Sequence, residues 1–139
     1  AAEAFKEADA GILCAAVADF TPEQVASQKI KREKDALVLR LKPTCDIAAS
    51  LGKEKRPGQV LVGFALETCD EVNHAQDKLA RKNFDFIVLN SLNDKGAGFR
   101  CDTNKITIID RSEAVSYPLK SKKEVAEDIV DKLSSLFHS

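Results

Sequence analysis

Three short apolar runs without polar alternation constrain this chain more than any other feature: Gly11–Ala18, Gln59–Ala65 and Phe84–Asn90. Each has the length of a strand and is rich in Val, Ile, Leu or Phe. A strand with one wet face alternates; one that does not is covered on both faces, as in a parallel sheet. Helical patterns lie beside these runs. Asp46–Lys55 is short and is stopped by Arg56-Pro57-Gly58. Thr68–Asn83 opens with Thr68 and Glu71 in capping-box spacing and carries an apolar stripe of Val72, Ala75, Leu79 and Ala80. Ser121–Phe137 repeats the box with Ser121 and Glu124, and its inward face is Val125, Ile129, Leu133 and Leu136. Gln59–Ala65, Thr68–Asn83 and Phe84–Asn90 therefore read as strand, helix, strand, a βαβ unit.

Other segments have a different texture. Ala36–Lys42 and Lys105–Asp110 alternate apolar with polar residues, and Val115–Leu119 does so more weakly. These read as half-exposed antiparallel strands. The expected fold is α/β: a Rossmann-like, mainly parallel sheet with a small antiparallel β extension. No repeat or linker divides the chain, so residues 1–139 read as a single domain.

Composition closes several alternatives. Apolar residues make up 44% and charged residues 31% of the chain, enough for a core and too apolar for a disordered chain. The net charge of −1 argues against a broad nucleic-acid surface. No apolar stretch reaches the ~18–20 residues that cross a bilayer. Residues 1–10 are charged and helix-like, unlike a signal peptide, and the expected location is cytoplasmic. The sequence holds no Met and opens inside a helical pattern, so it reads as a piece of a longer protein. Cys14, Cys45, Cys69 and Cys101 form no C-x-x-C pair, which argues against zinc. Cys14, within an apolar run, reads as a small core residue.

Open α/β sheets bind ligands outside the carboxyl ends of their parallel strands. That rule directs attention to Asp19-Phe20, Leu66-Glu67-Thr68 and Asn90-Ser91, where loop capping and ligand contact are both open readings. Lys78 and Lys82 lie one helical turn apart. They are either ordinary surface lysines or a pair whose repulsion a polyphosphate relieves. The basic run Lys29–Lys34 fits a solvated loop, a localisation tract or an anion clamp. Gly96-Ala97-Gly98-Phe99 lacks the strand–turn–helix context of a dinucleotide fingerprint and reads as a turn. His74 and His138 belong to no nucleophile motif, so no catalytic His is assigned.

Five short motifs occur in order along nearly the whole chain. They are Ala15-Ala16-Val17-Ala18-Asp19-Phe20; Gln28-Lys29-Ile30-Lys31; Gly63-Phe64-Ala65-Leu66-Glu67-Thr68; Lys78-x-x-x-Lys82-Asn83-x-Asp85; and Gly98-Phe99-x-x-Asp102-x-Asn104. With them the sequence resembles the phosphopantothenoylcysteine synthetase family, the second half of many bifunctional coenzyme A biosynthesis proteins. The resemblance implies ligation of 4′-phosphopantothenate to cysteine, with CTP as co-substrate and Mg2+ assisting, through an acyl-cytidylate. It implies nucleotide contacts at Ala15, Asp19, Lys29, Cys45, Asp46, Ile47, Ala48, Phe64, Lys78 and Lys82, with Lys29 catalytic. Metal ligands are not implied. Lys31–Ala36 corresponds to a flap over the bound intermediate, and the β extension to a dimerisation region, hence a homodimer.

This chain departs from the family at Cys45-Asp46, where Pro-Asp is usual. The family's Gly-rich opening segment, with its Arg and essential Asn, is expected ahead of Ala1. FMN belongs to the decarboxylase half, outside these residues. Three alternatives are carried. The chain is a non-catalytic nucleotide-binding and dimerisation fragment, an ATP-using variant, or a nicotinamide-dependent enzyme, which its missing glycine fingerprint disfavours.

Overall fold

The computed structural model describes residues 1–31, 36–67, 70–91 and 101–138. Along the chain the elements are α1 (Ala2–Glu7), β1 (Ala10–Leu13), β2 (Phe20–Pro22), β3 (Leu41–Pro43), α2 (Ile47–Glu54), β4 (Val60–Glu67) and α3 (Glu71–Arg81). They continue as β5 (Phe86–Ser91), β6 (Thr103–Asn104), β7 (Ile106–Asp110), β8 (Ala114–Ser116), β9 (Lys120–Ser121) and α4 (Lys122–Phe137). Two compact units result. The larger comprises Ala1–Cys14 with Ile47–Ser139, and the smaller is Ala15–Asp46.

In the larger unit a five-stranded sheet has the order β1-β4-β5-β7-β8. β1, β4 and β5 are parallel, whereas β7 and β8 continue the sheet antiparallel. The expected βαβ unit is present as β4, α3 and β5, with Val62 opposite Phe86 and Glu67 opposite Ser91. Alternate residues of β4 supply two cores. Leu61 and Ala65 pack with Phe5 of α1, Leu51 of α2, and Ala75 and Leu79 of α3. Val60 and Val62 pack with Phe86, Val88, Ile106 and Ile108, under Val125 and Ile129 of α4. The sheet is thus a middle layer between α1–α3 and α4, which is why β4 and β5 read as continuous apolar runs.

Several joints fix this arrangement. Pro57-Gly58 turns the chain from α2 into β4, with Gly58 at φ 84° and the Gln59 amide donating to the Arg56 carbonyl at 3.1 Å. The buried Gln59 side chain donates to the Phe5 and Ala8 carbonyls, both at 2.7 Å, tying the end of α1 to β4. Ser121 caps α4, and its capping box with Glu124 is complete, as expected. At the end of β7, Lys132 of α4 meets Asp110 at 2.7 Å. Burial pushes the Asp110 carboxyl up, but hydrogen bonds from Lys132, Ser112 and Glu113 outweigh it and hold the group well below the usual carboxylate range.

Four expectations are corrected. β1 spans Ala10–Leu13 rather than Gly11–Ala18, and it is an edge strand with Ile12 exposed. Cys14, just past its end, is exposed and is not a core residue. Ile106–Asp110 belongs to the main sheet rather than to an extension, with Ile106 and Ile109 buried. Helix α3 starts at Glu71 after Asp70, which has a left-handed φ of 44° and makes no side-chain cap, so Glu71 is not the third residue of a box. Thr68 itself, like the Gly96–Phe99 turn, Cys69 and most of the flap segment, lies outside the described residues.

The smaller unit is a two-stranded antiparallel ribbon in which Phe20 pairs with Pro43 and Pro22 with Leu41. The Thr44 amide donates to the Asp19 carbonyl at 2.9 Å and its hydroxyl to the Ala18 carbonyl at 2.7 Å. Of the expected strand Ala36–Lys42, only Leu41 and Lys42 lie in β3, and the Arg40 carbonyl accepts one further bond from the Glu23 amide at 2.9 Å. Val25, Leu37 and Val38 are exposed.

Candidate functional site

The crossover from β4 to α3 places charged side chains at the carboxyl rim of the larger unit's sheet. Counting along β4 assigns each residue a face. Leu61, Ala65 and Glu67 share the α3 side, whereas Val60, Val62 and Phe64 share the α4 side. Glu67, the last residue of β4, therefore ends its strand beneath α3. Its Oε1 accepts a hydrogen bond from Lys78 Nζ at 2.7 Å. Its Oε2 lies 3.6 Å from His74 Nδ1, one turn earlier on the same helix. A long helical side chain leans back toward the amino end of its helix, so Lys78 reaches the rim from the third turn of α3. The Glu67 side chain is 16% exposed and that of Lys78 35%, so the pair is partly desolvated.

Lys82 is placed differently. It is the C-cap of α3 and half-buried, with its amide donating to the Ala80 and Lys78 carbonyls. A Cβ on Gly52 would strike the Lys82 carbonyl oxygen, so α2 runs close against the chain there. The chain then turns through Asn83 at φ 53°. Asn83 donates to the Gly52 carbonyl at 2.9 Å. Asp85 accepts from Lys55 at 2.8 and 2.9 Å and from the Leu61 amide at 2.6 Å. The second half of the Lys78-x-x-x-Lys82-Asn83-x-Asp85 motif thus secures the amino end of β5, whereas Lys78 serves the carboxyl rim.

Phe64 is partly buried on the α4 face, against the second core, and not beside Lys78. Asn90, one residue before the end of β5, lies on that same face, where Asn104 donates to its side-chain oxygen at 2.9 Å. Ile47 and Ala48 open α2, Ile47 exposed and Ala48 packed on the first core. Ala15, Asp19, Lys29, Cys45 and Asp46 belong to the smaller unit, and all are exposed. Asp19 immediately precedes β2 rather than ending a parallel strand, because β1 stops at Leu13. Lys29 lies between β2 and β3 in a described stretch without helix or strand.

The residue whose part sequence reasoning missed is Glu67, singled out only as a strand-end acid. Neither open reading of Lys78, an ordinary surface lysine or half of a polyphosphate pair, anticipates the carboxylate of the same chain that meets it. The signal was in the parity of β4: Glu67 is two residues beyond Ala65 and must share the face that α3 covers. Among the described residues no three His, Cys, Asp or Glu side chains cluster so as to hold a metal ion. Nor is any described helix long and apolar enough to cross a membrane.

The profile of the DNA/pantothenate metabolism flavoprotein C-terminal domain matches residues 1–136. The chain is 58% identical over 137 residues to a protein named cysteine/cysteine sulfinic acid decarboxylase, from an unknown prokaryotic organism, covering 98% of this chain and 38% of that one. It is 43% identical over 133 residues to the coenzyme A biosynthesis bifunctional protein CoaBC of Bacillus subtilis, covering 95% of this chain and 32% of that one. The crystal structure of a CoaBC C-terminal domain is similar with a TM-score of 0.77 at 33% identity, covering 99% of this chain and 59% of that one. The chain thus spans about a third of the length of these curated relatives.

Proposed function

The chain belongs to the DNA/pantothenate metabolism flavoprotein C-terminal domain family, and from that premise we propose that it is the synthetase portion of a coenzyme A biosynthesis enzyme. It joins 4′-phosphopantothenate to cysteine at the expense of CTP. The pantothenate carboxylate oxygen attacks the α-phosphorus, and the bond to pyrophosphate breaks. The cysteine amine then attacks the acyl carbon of the acyl-cytidylate, loses a proton, and CMP leaves as the amide forms.

The observation that carries this reading is a fixed ammonium, Lys78, at the carboxyl end of a parallel βαβ crossover. That is where α/β sheets take nucleotides. Negative charge concentrates on the α-phosphate and on departing pyrophosphate, and a cation already in place stabilises it without reorganising. The family resemblance supports assigning Lys78 to phosphate, Lys29 to the reacting α-phosphate and Asp19 to the ribose or cytosine; Lys82, which the same resemblance adds, stands at the other end of α3 from the rim. Ala15, Phe64 and the stretch Cys45–Ala48 are further nucleotide contacts that the family resemblance supports. Mg2+ enters on the triphosphate in this proposal, as is usual for the ion. A homodimer is part of the proposal, supported by the exposed Val25, Leu37 and Val38 of the smaller unit.

The test is pyrophosphate release by the full-length protein from 4′-phosphopantothenate and CTP, beside a CTP-induced thermal shift. At a hundred times Kd the nucleotide adds about 2.7 kcal/mol of stability, several degrees for a domain of this size. Lys78→Ala is expected to abolish most of both signals. Absence of release and of any shift at millimolar CTP refutes the reading, and competition with ATP decides the base preference. The name of the 58% identical relative favours a second reading, in which this portion only scaffolds a decarboxylase. Carbon dioxide release from cysteine without pyrophosphate release selects it.

A further inference from the structure

We propose that Glu67 is the positioning residue for Lys78, holding its ammonium at the rim before nucleotide arrives; this rests on the ligase reading above. A lysine side chain carries roughly 2 kcal/mol of rotamer entropy, and an untethered ammonium samples many positions around a phosphate. Here the tether is short and comes from a different element. Glu67 ends β4, Lys78 is eleven residues further on in α3, and their atoms are 2.7 Å apart. The carboxylate is itself constrained. Strand β4 pairs with β5 through to Glu67, so its backbone is fixed to the last residue. The His74 ring stands 3.6 Å from the second carboxylate oxygen. A lysine ammonium has three N–H donors, so one bond to Glu67 leaves two for phosphate oxygens.

The arrangement has two opposed effects. Holding Lys78 in place favours the transition state, where position counts most. The negative charge of Glu67 weakens the attraction of the pair for triphosphate in the ground state. Replacing the charge but keeping the acceptor therefore separates them. Glu67→Gln is expected to lower KM for CTP several-fold and to lower kcat about 3- to 10-fold. Glu67→Ala, which releases the ammonium altogether, is expected to lower kcat about 10- to 100-fold, the scale on which misplaced catalytic groups act.

A double-mutant cycle on the full-length protein tests this, with kcat for pyrophosphate release normalised to the folded fraction by circular dichroism. In a Lys78→Ala background the Glu67→Ala change is expected to cost less than 3-fold, because nothing remains to position. An equal loss in both backgrounds overturns the inference while leaving the ligase reading intact. If Glu67→Ala does not fold, Glu67→Gln runs the same cycle, and its effect is likewise expected to vanish without Lys78. If the unmodified protein releases no pyrophosphate, the ligase reading falls and this inference falls with it.

Discussion

Removing the Asp85 carboxylate is expected to damage the fold rather than the nucleotide site, although Asp85 sits in the same motif as Lys78 and Lys82. Asp85 accepts three hydrogen bonds at the start of β5: two from Lys55, at 2.8 and 2.9 Å, and one from the Leu61 amide at 2.6 Å. Leu61 is fully buried, and the Lys55 side chain is only 11% exposed. In Asp85→Ala the Leu61 amide loses its acceptor inside the protein, at a cost of about 1–3 kcal/mol. Breaking a buried ion pair can cost about 3–5 kcal/mol. Here the ammonium keeps the Asn83 carbonyl at 3.0 Å, so we set its share at about 1–2 kcal/mol. The sum, about 3 kcal/mol, is a large part of the roughly 5–15 kcal/mol that holds a domain together. With the usual urea slope of about 1–3 kcal/mol per molar, it moves the unfolding midpoint down by roughly 1–3 M. Asp85→Asn keeps an acceptor for Leu61 and is expected to fall about halfway between. The assay is equilibrium urea unfolding at pH 7, run beside the CTP thermal shift of each folded variant. A loss below 1 kcal/mol with unchanged slope, or a stable Asp85→Ala variant that no longer responds to CTP, refutes the assignment.

Two further outcomes are expected. Gly63→Ala places a methyl group 2.5 Å from Phe84 Cζ, a ring only 4% exposed, and should cost about 1–3 kcal/mol in urea unfolding, most of it recovered in a Phe84→Leu background. The Asp110–Lys132 pair should give a stability difference between wild type and Lys132→Met that is level near neutral pH and closes at both extremes. The carboxyl is held below its ordinary value of 3.8, so its contribution is present above that value and is lost as the pH falls through the lowered one; the hydrogen bond to Asp110 raises the Lys132 ammonium, so its contribution is present below its ordinary value of 10.5 and is lost as pH rises through the raised one. A difference that stays level from pH 7 to pH 2 in thermal unfolding refutes the pairing.

The core of the fold was legible because its strands are buried on both faces. Leu61, Val62, Ile87 and Val88 are all fully buried, and a run that must be apolar at every position leaves no alternation to misread. Gly11–Ala18 has the same texture for a different reason. Its second half is mostly alanine, small enough to stand exposed at little cost, and the edge strand ends before it. Lys105–Asp110 was legible as a half-exposed antiparallel strand but not in its place, because β7 continues the main sheet beside β5. Its half-exposed positions Thr107 and Asp110 then find partners in neighbouring elements, Ser116 for one and Lys132 for the other. Spacing alone also cannot tell a real capping box from an accidental one. Ser121 and Glu124 form theirs, whereas α3 begins two residues later than a Thr68 cap requires.

The candidate site was legible only in part, because a motif is written along one chain while its residues answer to different ends of an element. Lys78 and Lys82 are one turn apart, which in an unbroken helix makes them neighbours on one face. The helix ends at Arg81, however, and Asn83 at φ 53° turns the chain away within two residues. Lys78 therefore leans back to Glu67 at the carboxyl rim, while Asn83 and Asp85 bind Gly52, Lys55 and Leu61 at the amino end of β5. One motif thus meets two requirements, a cation held at the carboxyl rim and a sealed strand entry. Their separation by a helix terminus is what allows substitutions at Lys78 and at Asp85 to fail in different assays.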